Sequence, residues 1–238
     1  AIPFALFLIT LLYARFIEPY WLQVEETTIE TSLEKPVRVA LWADPHLGVY
    51  KGEDYLTRVV DMVSAENPDL IVIPGDFVYA MPPEKLDRIL APLKNLEAPT
   101  FAVLGNHDLW LAEDLGTEII DILKPYNIEF LEDTVLRWKT PANEELVLTG
   151  SIDFWHYTQE ELKTAEAADK DWRPSFFTHI PIIEKPEGLT AEDTVLWLAH
   201  NPDTSYYLDP EWDIDVLVAG HTHGGQVWIP GITKRLIP

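Results

Sequence analysis

Short apolar runs alternate with segments of helical periodicity in the first half of the chain. The runs at 37–43, 70–74 and 100–104 are rich in Val, Ile and Leu and have the length of buried strands. Helical segments follow them around 56–63, 84–94 and 113–123. This order predicts parallel strands that are joined by right-handed crossover helices.

The second half carries more strands and fewer helices. Strands are expected at 128–131, 135–138, 146–150, 175–178, 194–199, 214–219 and 226–229, and one helix at 158–168. A chain of 238 residues is long enough for one large domain. We therefore expect an α/β fold in which two packed sheets are flanked by helices.

Composition excludes some classes of function. Apolar residues make up 47% of the chain, as in an ordinary folded protein, and the formal net charge is −23. Such an acidic chain lacks the basic face that non-specific nucleic-acid binding requires. An anionic substrate stays possible, because bound metal ions can invert the potential inside a cleft. Since cysteine is absent, disulfides and zinc–thiolate sites are excluded.

The first fourteen residues are almost wholly apolar, with Thr10 as the clear polar break. A full membrane span needs about 20 such residues, and a core helix or part of a signal peptide has a similar composition. However, Arg15, Tyr20 and Trp21 follow, and basic and aromatic residues are typical of a membrane interface. We expect a single N-terminal membrane anchor at 1–24 with its beginning missing, and a polar linker at 25–36.

Polar clusters stand where the apolar strands end, which is where open α/β sheets place their sites. Carboxylate, imidazole and amide groups together suit Mn²⁺, Fe²⁺ or Zn²⁺ better than Ca²⁺. Each cluster alone has an ordinary explanation as a turn or a helix cap. Five such clusters in order are hard to obtain by chance, and they comprise Asp44 with His46, Asp76, Asn106 to Asp108, His200, and His221 with His223.

The motif series Asp-x-His, Gly-Asp, Gly-Asn-His-Asp, a lone His and Gly-His-x-His resembles the calcineurin-like metallophosphoesterases. The stretches RFIEP at 15–19, LAHNPD at 198–203 and GHTHGGQV at 220–227 are most similar to their membrane-anchored bacterial branch. The resemblance implies a four-layer α/β/β/α sandwich with two mixed sheets, formed by a catalytic domain at 37–238. Because this branch usually continues through further strands, we expect the second sheet to be incomplete at its C-terminal end.

The resemblance also implies a dinuclear metal centre. Asp76 would bridge two divalent ions, Mn²⁺ being favoured and Fe²⁺, Zn²⁺ or Mg²⁺ being alternatives. His107 would act as a general acid or stabilise the transition state, and Asp108 would orient its ring. The ligands of one ion would be Asp44, His46 and His223, and those of the other Asn106, His200 and His221.

These residues predict a hydrolase that attacks a phosphoester or pyrophosphate bond with metal-activated hydroxide. The expected anchor suggests a lipid or lipid-linked substrate, and a non-catalytic metal- or ligand-binding module is the alternative. Pro45 departs from the usual motif but leaves both flanking ligands in place.

Other polar and aromatic residues are weaker candidates for the site. His179 competes with His200 for the lone-histidine position, but a longer apolar run precedes His200. Asp153 could lie at the rim of the cleft, but a solvated turn is the favoured interpretation, and His156 is interpreted as a surface or gate residue. Three aromatic residues are candidates for the lining of a substrate cleft: Trp155, Trp172 and Trp228.

Overall fold

The computed structural model describes residues 2–116, 119–132, 134–151, 153, 183 and 185–223. The strands in these ranges are β1 (Val39–Leu41), β2 (Leu47–Gly48), β3 (Leu70–Pro74), β4 (Val78–Tyr79), β5 (Thr100–Val103), β6 (Ile128–Phe130), β7 (Val135–Lys139), β8 (Glu145–Gly150), β9 (Val195–Ala199) and β10 (Val216–Ala219). The α-helices are α1 (Ile2–Phe16), α2 (Glu53–Ala65), α3 (Leu86–Leu90), α4 (Asn106–Leu115) and α5 (Ile119–Leu123).

Two sheets, each with four strands among the described residues, form the centre of the described part of the protein. The first has the order β1-β3-β5-β6, and all its described strands are parallel. The second has the order β10-β9-β8-β7 and is mixed, because β7 runs antiparallel to β8. The predicted α/β architecture of two sheets is confirmed, although only the second sheet is mixed in its described strands. A short ladder, β2 with β4, lies beside them.

Successive side chains of the central strands point to opposite faces of their sheet, and each face packs against a different layer of the fold. In β3, Leu70 and Val72 belong to the core between the two sheets, whereas Ile71 and Ile73 pack in the core that contains the helices. In β9, Leu198 faces the first sheet and Trp197 packs on the other side, where its ring stacks on Trp212. Because both faces of these strands are covered, their sequences read as continuous apolar runs.

Two predicted helices differ from the observed ones. The helix expected at 84–94 is observed as the shorter helix α3, with a 3₁₀ turn before it at Pro83–Lys85 and another after it at Ala91–Asn95. Each of these turns contains a proline, which cannot donate a backbone hydrogen bond inside a helix. The helix expected at 113–123 is wrong as a single element. The structure has α4 and α5 instead, since Gly116 ends α4 with a left-handed φ of 64°. The helix at 158–168 and the strands at 175–178 and 226–229 lie outside the described residues.

The segment before β1 contacts the domain at two places. After α1, a 3₁₀ turn at Glu18–Tyr20 packs against the start of α2, through the rings of Tyr20 and Tyr55. Further on, Ser32 hydrogen bonds to Thr194, and Leu33 packs against the core between the sheets. The end of the predicted linker at 25–36 therefore lies on the second sheet. In the part of the chain that the structure describes, no helix combines the length and the apolar character needed to cross a membrane.

Candidate metal centre

All seven predicted ligands come together at the carboxyl edge of the two sheets. Each follows the end of a strand, and the parallel direction of these strands brings the ends to one place. The positions are Asp44 and His46 after β1, Asp76 after β3, Asn106 after β5, His200 after β9, and His221 and His223 after β10.

One ligand group consists of Asp44, His46 and His223. One ligand atom from each lies within 4.8 Å of the others, and the Nε2 atoms of the two imidazoles are 2.9 Å apart. The backbone N–H of His221 donates to both carboxylate oxygens of Asp44, at 2.9 and 3.0 Å, and so fixes that side chain. Since His223 is exposed, this group opens toward solvent.

The second group consists of Asp76, His200 and His221, with Asn106 beside them. The Nε2 atom of His200 lies 3.2 Å from Asn106 Oδ1, 3.3 Å from Asp76 Oδ2 and 3.1 Å from His221 Nδ1. Its Nδ1–H donates to the backbone carbonyl of Pro74 at 2.8 Å. This bond aims Nε2 at the cluster, as is usual for a histidine that binds a metal.

Asp76 belongs to the second group and also lies close to the first. Its Oδ2 atom is 3.5 Å from the Nε2 atom of His46 and 3.3 Å from that of His200. Its Oδ1 atom accepts the backbone N–H of His107 at 2.9 Å. The carboxylate is therefore fixed at a place where its Oδ2 atom is close to a nitrogen of each group.

Burial and charge shift the pKa values of these groups in opposite directions. Burial lowers the pKa of His46 to about 4, which favours the neutral imidazole that a metal needs. Burial alone would raise the pKa of Asp76, but the hydrogen bond and the positive charge of His200 hold it below its usual value. The same pairing outweighs burial at His200 and raises its pKa to about 9. At Asp44, burial dominates and raises the pKa.

His107 lies at the rim of the cluster, where it forms a third group with His46 and Asp76 whose ligand atoms lie within 4.8 Å of one another. Its ring packs edge-on against His46, Tyr79 and Trp110, with centroid distances of 5.0, 4.9 and 4.7 Å. The ring is half-buried, and this burial lowers its pKa. The tyrosine and the tryptophan therefore set the orientation of the ring.

The contacts of Asp108 differ from those expected. Its side chain is buried, and its two oxygens accept the backbone N–H groups of Val78 and Gly105 at 3.1 and 3.0 Å. Burial and the charge of Asp76 raise its pKa to about 7. These hydrogen bonds tie two site loops together. The contact that the sequence predicted, with the ring of His107, is not among the hydrogen bonds of the described residues.

Five of the seven ligand candidates have a left-handed backbone. Residues other than glycine rarely adopt this conformation, and each one costs on the order of 1–3 kcal/mol. The φ angles are 52° at Asp44, 47° at His46, 54° at Asp76, 68° at His221 and 49° at His223. Such strain concentrates at functional sites, where the surrounding structure holds it in place.

Gly105 allows two of these loops to approach each other. A Cβ atom at this position would lie 2.2 Å from Asp76 Oδ1 and 2.5 Å from the Asp76 backbone nitrogen. No other residue type fits without moving the central carboxylate. The glycine before Asn106 is therefore required by the geometry of the site.

The weaker site candidates from the sequence include one that the structure corrects and several that lie outside the described residues. Asp153 is 3% exposed and its charge acts on His200, so its interpretation as a solvated turn is wrong. The sequence did not indicate Tyr79 and Trp110, because single aromatic residues after a strand or within a helix carry no distinctive signal. His179, His156, Trp155, Trp172 and Trp228 lie outside the described residues.

The donor set fits divalent metal ions. Two imidazole nitrogens at 2.9 Å repel each other through their lone pairs unless a proton or a cation lies near them, and His46 is held neutral. Its Nδ1 atom is also buried, with no hydrogen-bond partner in the described part of the chain. Carboxylate, imidazole and amide ligands in one cluster suit Mn²⁺, Fe²⁺ or Zn²⁺.

Comparison with known proteins agrees with this donor set. Residues 37–225 match the family model described as calcineurin-like phosphoesterase. The chain belongs to the calcineurin-like phosphoesterase family. Its ordered motifs, from Asp44 to His223, all fall within the matched region.

Several relatives of this calcineurin-like phosphoesterase carry functional names. It is 26% identical to phosphodiesterase YaeI of Escherichia coli K12, covering 95% of this chain and 76% of YaeI. It is 24% identical to the UDP-2,3-diacylglucosamine pyrophosphatase LpxG of Chlamydia muridarum, covering 93% and 75%. The family and these names point to a hydrolase of phosphodiester or pyrophosphate bonds, the enzyme class predicted from the sequence.

Two further matches carry no functional name. The uncharacterized metallophosphoesterase Cj0846 of Campylobacter jejuni is 23% identical over 87% of this chain, which spans only 49% of that protein. Among solved structures, TT1561 of Thermus thermophilus aligns at 14% identity with a TM-score of 0.41, over 69% of this chain and 68% of the other.

Proposed function

We propose that this calcineurin-like phosphoesterase hydrolyses a phosphodiester or pyrophosphate bond at a centre of two divalent metal ions. The observation that carries the proposal is the position of Asp76, whose Oδ2 atom lies within 3.5 Å of a ligand nitrogen from each group. Two cations close together repel each other, and a shared carboxylate offsets that repulsion.

The two ligand groups have distinct surroundings. Asp44, His46 and His223 would hold the ion nearer to solvent, and Asn106, His200 and His221 the deeper one. Bound ions would supply the Lewis acidity that activates water and offsets the charge on the phosphoryl oxygens. Mn²⁺ is the proposed metal.

His107 is the proposed general acid. Its half-buried ring lies at the rim of the cluster, 5.0 Å from His46 between ring centroids, where a leaving oxygen can reach it. Tyr79 and Trp110 hold the ring in place, and Asp108 holds the loop on which it stands. The ring would donate a proton to the departing oxygen.

A lipid-linked substrate is the finer part of the proposal. It is supported by the name of LpxG, a pyrophosphatase of a diacylated sugar nucleotide, and by the exposed apolar side chains of α1. The same exposure supports attachment to a membrane through residues 1–24. Partition of the complete protein between membrane and soluble fractions tests the attachment.

Substitution of the shared carboxylate tests the metal centre. With Mn²⁺, the purified chain should hydrolyse bis(p-nitrophenyl) phosphate and hold about two metal ions per chain. Asp76→Asn keeps the size of the side chain but removes its charge, so both metal content and hydrolysis should fall. Lys124→Gln is a control for a substitution remote from the site, because Lys124 lies before β6 at the opposite edge of the sheet.

The outcome also separates the enzyme from a non-catalytic binding module. Hydrolysis at the wild-type rate in the Asp76→Asn variant would contradict the proposed metal centre. Two bound ions without hydrolysis of any phosphodiester or pyrophosphate would favour the binding module instead.

A further inference from the structure

A cleft of ≈ 380 Å³ opens beside the metal centre. His46 forms part of its wall and also belongs to the ligand cluster, so the cleft adjoins the candidate metal centre. The other side is formed by the end of α1, the turn that follows it and the loop after β2. The lining residues are Arg15, Pro19, Tyr20, His46, Tyr50 and Lys51.

A series of rings connects the far side of this cleft to the proposed general acid. The guanidinium of Arg15 lies 4.6 Å from the ring centroid of Tyr50. That ring stacks on Tyr79 with a centroid distance of 6.4 Å and an interplanar angle of 19°. Tyr79 in turn packs edge-on against His107 at 4.9 Å. Arg15 is thus held in a fixed relation to the site of bond cleavage.

Further contacts fasten the end of α1 to the domain. The Tyr20 hydroxyl donates to the backbone carbonyl of Tyr50, and Arg58 Nη2 donates to the carbonyl of Tyr20 at 3.0 Å. The ring of Tyr20 also packs edge-on against Tyr55 at 6.0 Å. These contacts bring Arg15 and Lys51, which are distant in sequence, to the same cleft.

The two cationic groups of the cleft rest on aromatic rings. Arg15 lies over the rings of Tyr50 and Phe16, and the Lys51 ammonium lies 4.8 Å from the ring centroid of Tyr55, where the charge of Asp44 also acts on it. Elsewhere Arg38 and Arg137 form ion pairs with carboxylates. Because an aromatic ring attracts a cation without neutralising its charge, Arg15 and Lys51 can still accept an anion. In a chain of net charge −23, two such cations beside the site favour an anionic ligand.

We infer that Arg15 and Lys51 bind a second phosphate of the substrate, next to the phosphate that is cleaved at the metal centre. The preferred substrate class is then a pyrophosphate diester rather than a phosphate diester with a single phosphoryl group. This inference rests on the proposed function. A planar guanidinium makes paired hydrogen bonds to phosphate oxygens, and Lys51 adds a second positive charge.

Calorimetric titration with two nucleotides tests the inference. Uridine 5′-diphosphate and uridine 5′-monophosphate differ by one phosphate, and both are titrated into the Mn²⁺-loaded full chain at fixed free Mn²⁺. Wild-type protein should bind the diphosphate about 10-fold more tightly than the monophosphate. Arg15→Gln and Lys51→Gln should each reduce this preference about fivefold, mainly by weakening binding of the diphosphate. Lys124→Gln, with the same change of charge at the opposite edge of the sheet, should leave the preference unchanged.

The outcomes separate this inference from the proposed function. Equal affinities for the two nucleotides in wild-type protein, or an unchanged preference in both cleft variants, would overturn it. Equal weakening of both nucleotides would also overturn it, because it would indicate a general loss of charge attraction. Hydrolysis of bis(p-nitrophenyl) phosphate is measured in parallel. If wild-type protein prefers the diphosphate but hydrolyses no substrate, the result contradicts the proposed function and still supports phosphate binding in the cleft.

Discussion

His107, at the rim of the ligand cluster, is proposed to act in catalysis rather than in metal binding. His107 contacts its neighbours through its ring, its backbone N–H donates to Asp76, and it belongs to neither of the two ligand groups proposed above for the metal ions. A substitution of this ring therefore changes proton transfer without removing a ligand from the two proposed groups. This difference makes the role of His107 measurable.

His107→Asn should lower kcat for an alkyl phosphodiester by about 100-fold or more, because the leaving alkoxide then lacks its proton donor. The loss should be smaller for bis(p-nitrophenyl) phosphate, since p-nitrophenolate leaves without protonation. Steady-state kinetics on both substrates measures the difference, and elemental analysis should still find about two metal ions per chain. Equal losses on both substrates would argue against the general-acid role.

Gly105→Ala should destabilise the protein and weaken metal binding. The new Cβ would meet Asp76 at 2.2 Å, so the loop or the carboxylate must move, at a cost of about 1–3 kcal/mol in the free energy of unfolding. Urea unfolding and Mn²⁺ titration measure the two effects. Gly52→Ala is the control, because a Cβ there has open space and the φ of −118° suits alanine. A Gly105→Ala protein with wild-type stability and affinity would show that the close approach is unimportant.

At the scale of strands and helices, sequence patterns predicted most of the site. The strand at 70–74 was predicted with its observed bounds, because a strand buried on both faces is a continuous apolar run. Asp76 and Asn106 were expected to lie close together because parallel strands end at one edge. The start of α4 at Asn106 was not predicted, since an Asn-His-Asp sequence is equally typical of a loop.

Contacts between distant segments could not be predicted in this way. Arg15 reaches Tyr50 only because the turn at Glu18–Tyr20 is fastened to the domain. Tyr79 meets His107 only because β4 pairs with β2 beside the cluster. Periodicity describes one element at a time, so the position of a ring against another element is not contained in it.

An ion-pair cluster joins β7, β8 and the loop that precedes β9. Arg137 Nη1 lies 2.6 Å from Asp193 Oδ1 and 2.6 Å from Glu145 Oε1, and its Nη2 atom donates to the Gly188 carbonyl at 2.7 Å. The hydrogen bond from Arg137 lowers the pKa of Asp193 to about 2. The cluster therefore stabilises the edge of the second sheet as long as Asp193 is ionised.

Asp193→Asn should lower the free energy of unfolding by about 1 kcal/mol at pH 7. Because the pKa is lower in the folded chain than in the unfolded one, the contribution is complete above about pH 4 and is lost as the pH falls toward 2. Urea unfolding of wild type and variant at pH 7 and pH 3 measures it. The difference between the two proteins should shrink at pH 3, and a difference that grows there would contradict the assignment.

Across the whole molecule, the ligand cluster links five strand ends from both sheets. Metal ions bound there would join β1, β3 and β5 of the first sheet to β9 and β10 of the second. Their effect on stability should therefore extend beyond the cluster itself. The chain's strong negative charge adds to this effect, because divalent ions neutralise part of it.

Saturating Mn²⁺ should raise the melting temperature, with a gain of about 2.7 kcal/mol when the free metal reaches about 100 times its Kd. A chelator should reverse the shift. Differential scanning calorimetry measures both changes, with Asp76→Asn expected to respond least and Lys124→Gln to respond like wild type. A shift of equal size in Asp76→Asn would place the stabilising ions elsewhere.

The left-handed backbone at the ligand positions has a consequence for laboratory evolution. His46, His221 and His223 all adopt a conformation that glycine or asparagine adopts at lower cost. A selection for heat resistance in metal-free medium would therefore enrich replacements at these histidines. The selected variants would be more stable but would lack hydrolytic activity. When the metal is present, the same replacements lose the stabilisation that metal binding provides. The metal content of the growth medium therefore determines whether selection retains these histidines.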